Sequence, residues 1–428
     1  LINSYLGNNS TISCCEVLNS LIFPSHEQHH NNSFLCAALV MGQSNIAAGA
    51  TIGSNHNSRA GDGEMIAARG FWPGLCVSLK HNSKFSTFTL IAKGDYPAEL
   101  NIQLPFSLIS NEVSENKLII MPAYWFMYNL YALARNTAKY VDRDNRTKKI
   151  QHIEYDYLAP DSVNEIFTGL RLLQKFTAQA FNRELRDEEL LISEGERILL
   201  DETIDLKKVE VYAEDFECTN RRTQIVKVRE AYRIYRELVV YYSVQQFLAF
   251  IKLHSIEQFD DLAQSLPAIV NRKEWLNIGG QLLPKEAVEK LINDIKHGEI
   301  KTWNEIHHFY QQYGKQYAEL KFHHAYASLL ELLNSERKEF TASLFSSLLQ
   351  QALKTKTWMT ENIHTSRAKD YQNAFRKMIY DNDTEMEKVI GKLDDNVFIN
   401  QQQEELEGFR KQVNDITQRF LTKSAVSQ

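Results

Sequence analysis

A short polar segment near the amino end groups residues that could perform acid–base chemistry. From Gly53 to Glu64, one glycine-rich turn carries a histidine, an amide, a guanidinium and two carboxylates: His56, Asn57, Arg59, Asp62 and Glu64. Histidine titrates near neutral pH and can take a proton from a hydroxyl or amine nucleophile. An asparagine amide or glycine N–H groups could support an oxyanion. The alternative is a structural turn, in which asparagine and glycine adopt left-handed backbone and Arg59 pairs with Asp62.

The triplet His-Asn-Ser occurs a second time, at His81, Asn82 and Ser83, which is 25 residues after its first occurrence at His56. If the intervening chain brings the two turns together, both histidines converge with Lys80 and Arg59. Such a set suits an anionic ligand, for example a phosphorylated or nucleotide-linked sugar. The alternative is a coincidence between two Asn-Ser turns.

Trp72 lies in the turn Gly70-Phe-Trp-Pro-Gly74 and has two interpretations. Its ring could stack on a sugar or a base, or it could close the end of the β-structure. We favour closure, because Leu75, Val77 and Leu79 alternate as in a buried strand.

His26, His29 and His30 stand near Glu27 and raise the question of a metal site. Adjacent histidines rarely bind one ion well, and no cysteine or aspartate spacing supports them. We therefore expect a solvated loop and predict no metal.

The composition is that of a globular chain. It has 428 residues, 43% hydrophobic and 24% charged, with a net charge of −6. This mildly acidic balance gives no general attraction to nucleic acid or anionic membranes. No apolar run suits a bilayer span or a signal peptide. The five cysteines lack zinc-finger spacing and indicate reduced thiols in a cytoplasmic protein.

The first 60 residues repeat an aliphatic position every six residues. One run has Leu6, Ile12 and Leu18, and another has Phe34, Val40, Ile46 and Ile52. A strand alternates every two residues and a helix every three or four, so a period of six favours a three-faced prism. The chain begins inside this repeat, at Leu1, and we expect residues before it to be missing.

The segments Leu6-Gly7, Val40-Met41-Gly42-Gln43-Ser44-Asn45, Ile46-Ala47-Ala48-Gly49-Ala50-Thr51 and Ile52-Gly53-Ser54-Asn55-His56-Asn57 resemble the hexapeptide-repeat proteins. That resemblance implies the closing coils of a left-handed parallel β-helix. It also implies a trimer and an acyl-CoA donor, with His56 or His81 as general base. Asn57, Arg59, Asp62, Trp72, Lys80 and Asn82 would bind the substrate. The whole chain also resembles an uncharacterised bacterial family with a β-helix and a helical tail.

The remaining sequence favours helices. Glycine and proline become sparse after Pro160, and a capping box, Ser162-x-x-Glu165, indicates a helix start there. A further helix is predicted from Arg221. We therefore predict an α+β chain. Residues 1–122 would form the β-helix end with a strand cap at 87–121, and residues 123–428 would form an α-helical domain.

Three functions follow from these observations. The first is acyl transfer to a sugar or sugar nucleotide with a histidine base. The second is a non-catalytic ligand-binding or scaffold protein. The third is the β-helix portion of a sugar-phosphate nucleotidyltransferase. We expect a small sugar or nucleotide-sugar ligand and no nucleic-acid or membrane partner.

Overall fold

The computed structural model describes residues 1–53, 63–268 and 270–424. Packing divides the chain into two compact units. Unit 1 comprises Leu1–Tyr124, Lys139–Tyr235 and Lys273–Gln316; unit 2 comprises Trp125–Ala138, Arg236–Arg272 and Tyr317–Gln428. The predicted domain boundary between residues 122 and 123 stays a prediction.

Short strands dominate the amino-terminal part. In chain order they are β1 Tyr5–Leu6, β2 Thr11–Ile12, β3 Cys15–Leu18, β4 Leu21–Ile22, β5 Glu27–Gln28, β6 Ser33–Cys36, β7 Ala38–Val40, β8 Thr51–Gly53, β9 Met65–Ala67, β10 Trp72–Pro73, β11 Ser78–Lys80, β12 Lys84–Phe85, β13 Leu90–Ile91, β14 Asp95–Tyr96, β15 Asn101–Ile102, β16 Leu108–Glu112, β17 Lys117–Met121, β18 Val211–Ala213, β19 Arg222–Ile225, β20 Trp275–Ile278 and β21 Gln281–Pro284.

These strands form separate sheets. A six-stranded parallel sheet has the order β1-β4-β7-β9-β12-β15, and a five-stranded parallel sheet has the order β14-β11-β8-β6-β3. A second six-stranded sheet, β10-β13-β16-β17-β19-β18, mixes parallel and antiparallel pairs. The prediction of a left-handed β-helix is therefore wrong. The described residues form an α+β protein with separate flat sheets and many helices, and no left-handed β-helix is shown among them.

The period of six has a simpler physical basis. Leu6, Ile12 and Leu18 lie on β1, β2 and β3, and these strands belong to three different sheets. Strands of two to four residues joined by tight turns repeat an apolar position about every six residues, whichever sheet each strand enters. The period therefore predicts strand spacing, but it does not determine how the strands assemble.

Helices make up most of the remaining chain. They are α1 Tyr124–Tyr128, α2 Leu130–Asp142, α3 Pro160–Phe181, α4 Glu188–Leu200, α5 Val228–Leu253, α6 Phe259–Ser265, α7 Lys285–Lys296, α8 Trp303–Leu333, α9 Ala342–Gln372, α10 Ala374–Lys377, α11 Asp383–Ile390 and α12 Val397–Ser424, with 3₁₀ turns at Leu206–Lys208 and Arg337–Glu339.

The carboxyl-terminal part is less uniformly helical than predicted. Strands β18 to β21 all lie after residue 122. The helix predicted from Arg221 begins at Val228, because Arg222–Ile225 is β19 and pairs in parallel with β17. The strand has only four residues, of which Ile225 alone is apolar, so its sequence is too short to be separated from a helix start by periodicity.

The start of α3 also differs from the predicted capping box. The helix begins at Pro160, and Ser162 Oγ accepts a hydrogen bond from the Ala159 backbone N–H at 3.0 Å. Glu165 therefore has no capping role. Its carboxylate accepts hydrogen bonds from the backbone N–H and hydroxyl of Thr87, at 2.7 and 2.5 Å. This contact joins α3 to the segment between β12 and β13.

Unit 2 has an aromatic core. The ring of Phe247 lies 5.1 Å from Phe322 and from Phe345, and 5.2 Å from Phe340. Aromatic pairs at these centroid separations add stabilisation beyond their buried area. The core joins α5, α8 and α9 within this unit.

Candidate functional site

Half of the sequence-predicted site lies outside the described residues. His56, Asn57, Arg59 and Asp62 all fall within 54–62. Their predicted convergence with Lys80 and His81 stays a prediction. The described site residues of that set are Trp72, Lys80, His81 and Asn82.

Lys80 and His81 lie at the end of β11. Lys80 pairs in register with Gly53 and forms an ion pair with Glu99 at 2.7 Å, which lowers the pKa of the Glu99 carboxyl. His81 is buried, and within the described chain its Nδ1 has no hydrogen-bond partner. Asn82 is exposed and has left-handed backbone with a φ of 58°. The histidine is thus held next to a surface ion pair.

Trp72 lies on a different sheet from Lys80. It is on β10, pairs in register with Leu90 and is half-buried. Its ring is therefore partly packed against protein, and nothing in the described contacts places it beside His81.

The histidine-rich segment is not the solvated loop that was predicted. His26 is fully buried, whereas His29 and His30 are exposed. Gln28 donates to Ser33 Oγ at 3.1 Å, so its own carbonyl oxygen accepts from His26 Nε2 at 3.1 Å. His26 Nδ1 then accepts from the Ser44 hydroxyl at 2.8 Å. Burial lowers the pKa of His26 to about 4, so the ring is neutral at pH 7.

Glu27, which stood beside the histidines in the question of a metal site, forms ion pairs. Its carboxylate binds Lys139 Nζ at 2.5 Å and lies 3.6 Å from a guanidinium nitrogen of Arg143. In the described part of the chain, no group of three or more histidine, cysteine, aspartate or glutamate side chains is placed to hold a metal ion.

A buried ionic network surrounds Arg69, which the sequence analysis did not single out. Its guanidinium donates to both carboxylate oxygens of Asp161, at 2.7 and 2.8 Å, and to Gln43 Oε1 at 2.8 Å. The guanidinium carbon also lies 5.5 Å from the centre of the Phe88 ring. The guanidinium therefore has hydrogen-bond acceptors and an opposite charge within the protein.

Glu165 lies near this network and has a shifted proton affinity. Burial raises its pKa to about 7, although the hydrogen bonds from Thr87 oppose the shift. A perturbed carboxyl group is a common mark of a functional site. Here the contacts of the carboxyl and of Arg69 are with other protein groups, so we interpret the network as structural.

A polar cleft of about 300 Å³ in unit 1 offers a better site. We call it the asparagine cleft, and its lining residues are Asn8, Asn9, Asn145, Arg146, Thr147 and Lys148. The first two form the turn between β1 and β2, and the other four follow α2. This volume is at the lower end of the range for small-molecule sites.

One wall of the asparagine cleft is held by an ion pair. Arg146 donates from Nε and Nη2 to the two carboxylate oxygens of Asp144, each at 2.9 Å. Asn9 Nδ2 donates to the same carboxylate at 2.8 Å. These charge-assisted bonds hold the pKa of Asp144 well below its usual range, and the largest cause is Arg146. They also join the Asn9 turn to the segment after α2.

The other lining groups are available for a ligand. Among the described residues, the side chains of Asn8, Asn145, Thr147 and Lys148 make no hydrogen bond or ion pair. They supply two amides, a hydroxyl and an ammonium group. Hydrogen-bonding groups of both kinds, donors and acceptors, therefore line a cleft whose wall is already rigid.

Two buried hydroxyl groups lie close to the cleft residues. Tyr155 is buried, its Oη has no hydrogen-bond partner in the described chain, and it interacts electrostatically with Arg146. Ser25 is fully buried, its Oγ also lacks a partner there, and its backbone N–H donates to the Asn8 carbonyl at 3.0 Å. Neither side chain is among those that line the asparagine cleft.

A second cleft of similar size is electrostatically balanced. It is lined by Lys175, Gln179, Arg186, Glu188, Leu191 and Glu214. Two cations face two carboxylates, so this second cleft has no excess charge.

Sequence analysis did not predict the asparagine cleft, because its two halves are 135 residues apart in the chain. The basic run from Arg143 to Lys149 was the one sequence signal that pointed to it.

Comparisons with known proteins do not assign a reaction. Residues 258–420 match a domain of unknown function (DUF6819). The chain is 42% identical over 402 residues to an uncharacterized protein of Treponema pallidum (strain Nichols). That alignment covers 92% of this chain and 54% of the other protein, so the chain spans about half the length of the curated relative it matches. No solved structure matches the chain.

Within the described residues, none of the helices combines the length and apolar character that crossing a bilayer requires.

Proposed function

We propose that this protein binds a small carbohydrate-class ligand in the asparagine cleft, without a catalytic role for that cleft. The observation that carries the proposal is a polar cleft with a rigid wall and unengaged side chains. Arg146 and Asp144 hold the wall, while Asn8, Asn145, Thr147 and Lys148 keep their side-chain groups open.

The chemistry of the lining fits a sugar. Each hydroxyl of a sugar donates and accepts hydrogen bonds, and an asparagine amide does both in one plane. Thr147 adds a hydroxyl that can serve either role. A wall fixed before binding lowers the ordering cost of association, so modest contacts suffice for measurable affinity.

Calorimetric titration of hexoses, hexose phosphates and nucleotide sugars tests this function. We expect at least one compound to bind saturably to the intact chain. Asn8→Ala and Thr147→Val should weaken that binding about tenfold or more, since each removes a hydrogen bond to the ligand. Gln179→Ala in the second cleft is the matched control and should leave affinity unchanged. Absence of saturable binding, or equal affinity in all variants, would reject the proposal.

A second candidate function is acyl transfer, with acyl-CoA as donor and a sugar or sugar nucleotide as acceptor. Its support is the buried His81, whose Nδ1 has no hydrogen-bond partner in the described chain. The ring would take the proton from an acceptor hydroxyl while its oxygen attacks the thioester carbonyl, and the proton would then reach the departing CoA thiolate. If transfer is detected and His81→Gln leaves its rate unchanged, this role is wrong.

Location and assembly are further parts of the proposal. We place the protein in the cytoplasm, because exposed thiols such as Cys14, Cys76 and Cys218 persist most readily in a reducing compartment. We retain a homo-oligomer, a trimer, as a prediction from the sequence resemblance. Light scattering of the purified chain measures the mass directly, and a monomeric mass would refute it.

A further inference from the structure

We propose that the ligand of the asparagine cleft carries a dianionic phosphate, which makes it a phosphorylated sugar. This inference rests on the proposed function and names the ligand class of the same site.

The charge around the cleft is the first support. Arg146 and Lys148 line it, and Lys149 lies 3.4 Å from Asp144, the only carboxylate that those cations contact in the described chain. Three cations and one ionised carboxylate leave a charge of plus two. A phosphate dianion balances that charge, whereas a carboxylate leaves half of it and a neutral sugar leaves all of it.

The distribution of these charges is the second support. Asp144 is engaged by Arg146 and Asn9 on both oxygens and is nearly buried, so it does not project as an anion toward the ligand. Lys148 is exposed and makes no ion pair among the described residues. A lysine acts as a point charge for phosphate oxygens, so Lys148 is the group that a phosphate would contact.

The uncharged lining groups are the third support, independent of charge. Among the described residues, the side chains of Asn8, Asn145 and Thr147 line the cleft and make no hydrogen bond. The amides of Asn8 and Asn145 remain for sugar hydroxyls, which favours a phosphorylated sugar over inorganic phosphate.

The test compares matched ligands on the intact chain. Three hexose phosphates are titrated by calorimetry, each beside its neutral parent sugar and its sulfate ester, together with inorganic phosphate. We expect one hexose phosphate to bind at least tenfold more tightly than its parent sugar, its monoanionic sulfate ester and inorganic phosphate. Lys148→Met, which keeps most of the side-chain length, should remove most of that preference. Lys175→Met in the second cleft is the matched control and should retain it.

The outcomes separate this inference from the proposed function. If a neutral sugar binds as tightly as its phosphate, the cleft is a sugar site and the phosphate inference is wrong. If inorganic phosphate binds as tightly as every hexose phosphate, the sugar part is wrong. If the hexose phosphate is preferred over its parent sugar but Lys148→Met keeps that preference, Lys148 does not bind the phosphate and its assigned role is wrong. If no compound binds, the proposed function and this inference both fail.

Discussion

Arg146 and Asp144 form a two-pronged ion pair, with Nε and Nη2 each 2.9 Å from a carboxylate oxygen. Both side chains are more than nine-tenths buried. Asn9, which lies 135 residues before Asp144, donates to the same carboxylate. The carboxylate of Asp144 therefore connects two distant parts of the sequence and, with Arg146, fixes one wall of the asparagine cleft.

Removing Asp144 should destabilise unit 1. In Asp144→Ala, the Arg146 cation remains nearly buried without its partner, and the expected loss is about 3 kcal/mol, typical of a broken buried pair. Urea denaturation measures it. Lys80→Met breaks a more exposed ion pair with Glu99 and should cost less than about 1 kcal/mol. Equal losses in the two variants would show that burial of the Arg146 pair has no energetic consequence.

Glu165→Gln should change how stability depends on pH. The pKa of Glu165 is raised to about 7 in the folded protein, whereas the ordinary value of 4.5 applies in the unfolded chain. Between these values the unfolded chain releases a proton that the folded chain keeps, so this group reduces stability as pH rises. The loss is about 3 kcal/mol across that range.

The measurement is the difference between wild-type and Glu165→Gln unfolding free energies from pH 4.5 to 7. We expect the unfolding free energy of Glu165→Gln to increase relative to that of the wild type as pH rises. Glu289→Gln, at an exposed position of α7, is the control and should give a flat difference. A flat curve for Glu165→Gln as well would contradict the shifted carboxyl.

His26 should make stability depend on pH with a sign opposite to that of Glu165. Its pKa is lowered to about 4 by burial, so between pH 6.5 and 4 the unfolded chain binds a proton that the folded chain does not. Stability from this group is therefore lost as pH falls, by about 3 kcal/mol at pH 4. His26→Gln should lower stability at pH 7 and remove this acid-dependent loss. His30→Gln, at an exposed position, should have neither effect; acid sensitivity unchanged in His26→Gln would oppose the assignment.

Arg69 should stabilise unit 1 through its fork of hydrogen bonds. Arg69→Met leaves Asp161 and Gln43 without their partner, and we expect a loss of roughly 3 to 5 kcal/mol. Arg69→Lys keeps the charge but cannot donate to two oxygens in one plane, so it should recover only part of that loss. Chemical denaturation of both variants measures this order. Full recovery by lysine would mean that charge alone, and not the fork, holds the network.

Gly195 should tolerate no side chain. A Cβ there would approach the Gln174 carbonyl oxygen at 2.0 Å, at the close contact between α3 and α4. Gly195→Ala should therefore cost about 1 to 3 kcal/mol in thermal or urea unfolding. Gly408 on α12 meets nothing within 4 Å, so Gly408→Ala should stabilise by about 0.5 to 1 kcal/mol. The same sign for both substitutions would contradict the helix contact.

Sequence reasoning predicted local elements better than their assembly. The repeat from Leu6 to Ile52 was interpreted as a left-handed β-helix, which is wrong; apolar spacing reports only local periodicity, here that of short strands joined by tight turns. It did not show which sheet each strand joins, since that depends on contacts between distant residues. The helix after Pro160 was predicted, but the partner of Glu165 was not, because Thr87 lies 78 residues away.

The candidate site was harder to predict for the same reason. Lys80 and His81 are neighbours in sequence and were predicted together, a prediction that stays open, while Asn9 and Asp144 meet only after folding. His26 and His30 looked alike in a polar segment, yet one is buried and the other exposed. Single-sequence patterns do not report such differences in burial where strands are only two residues long.

The most direct test of the ligand-binding account is a crystal structure of the intact chain with the tightest-binding hexose phosphate. We predict electron density for the sugar between Asn8 and Asn145, with its phosphate within hydrogen-bond distance of Lys148. Density for that compound at another place on the protein, with the asparagine cleft holding only water, would contradict the account.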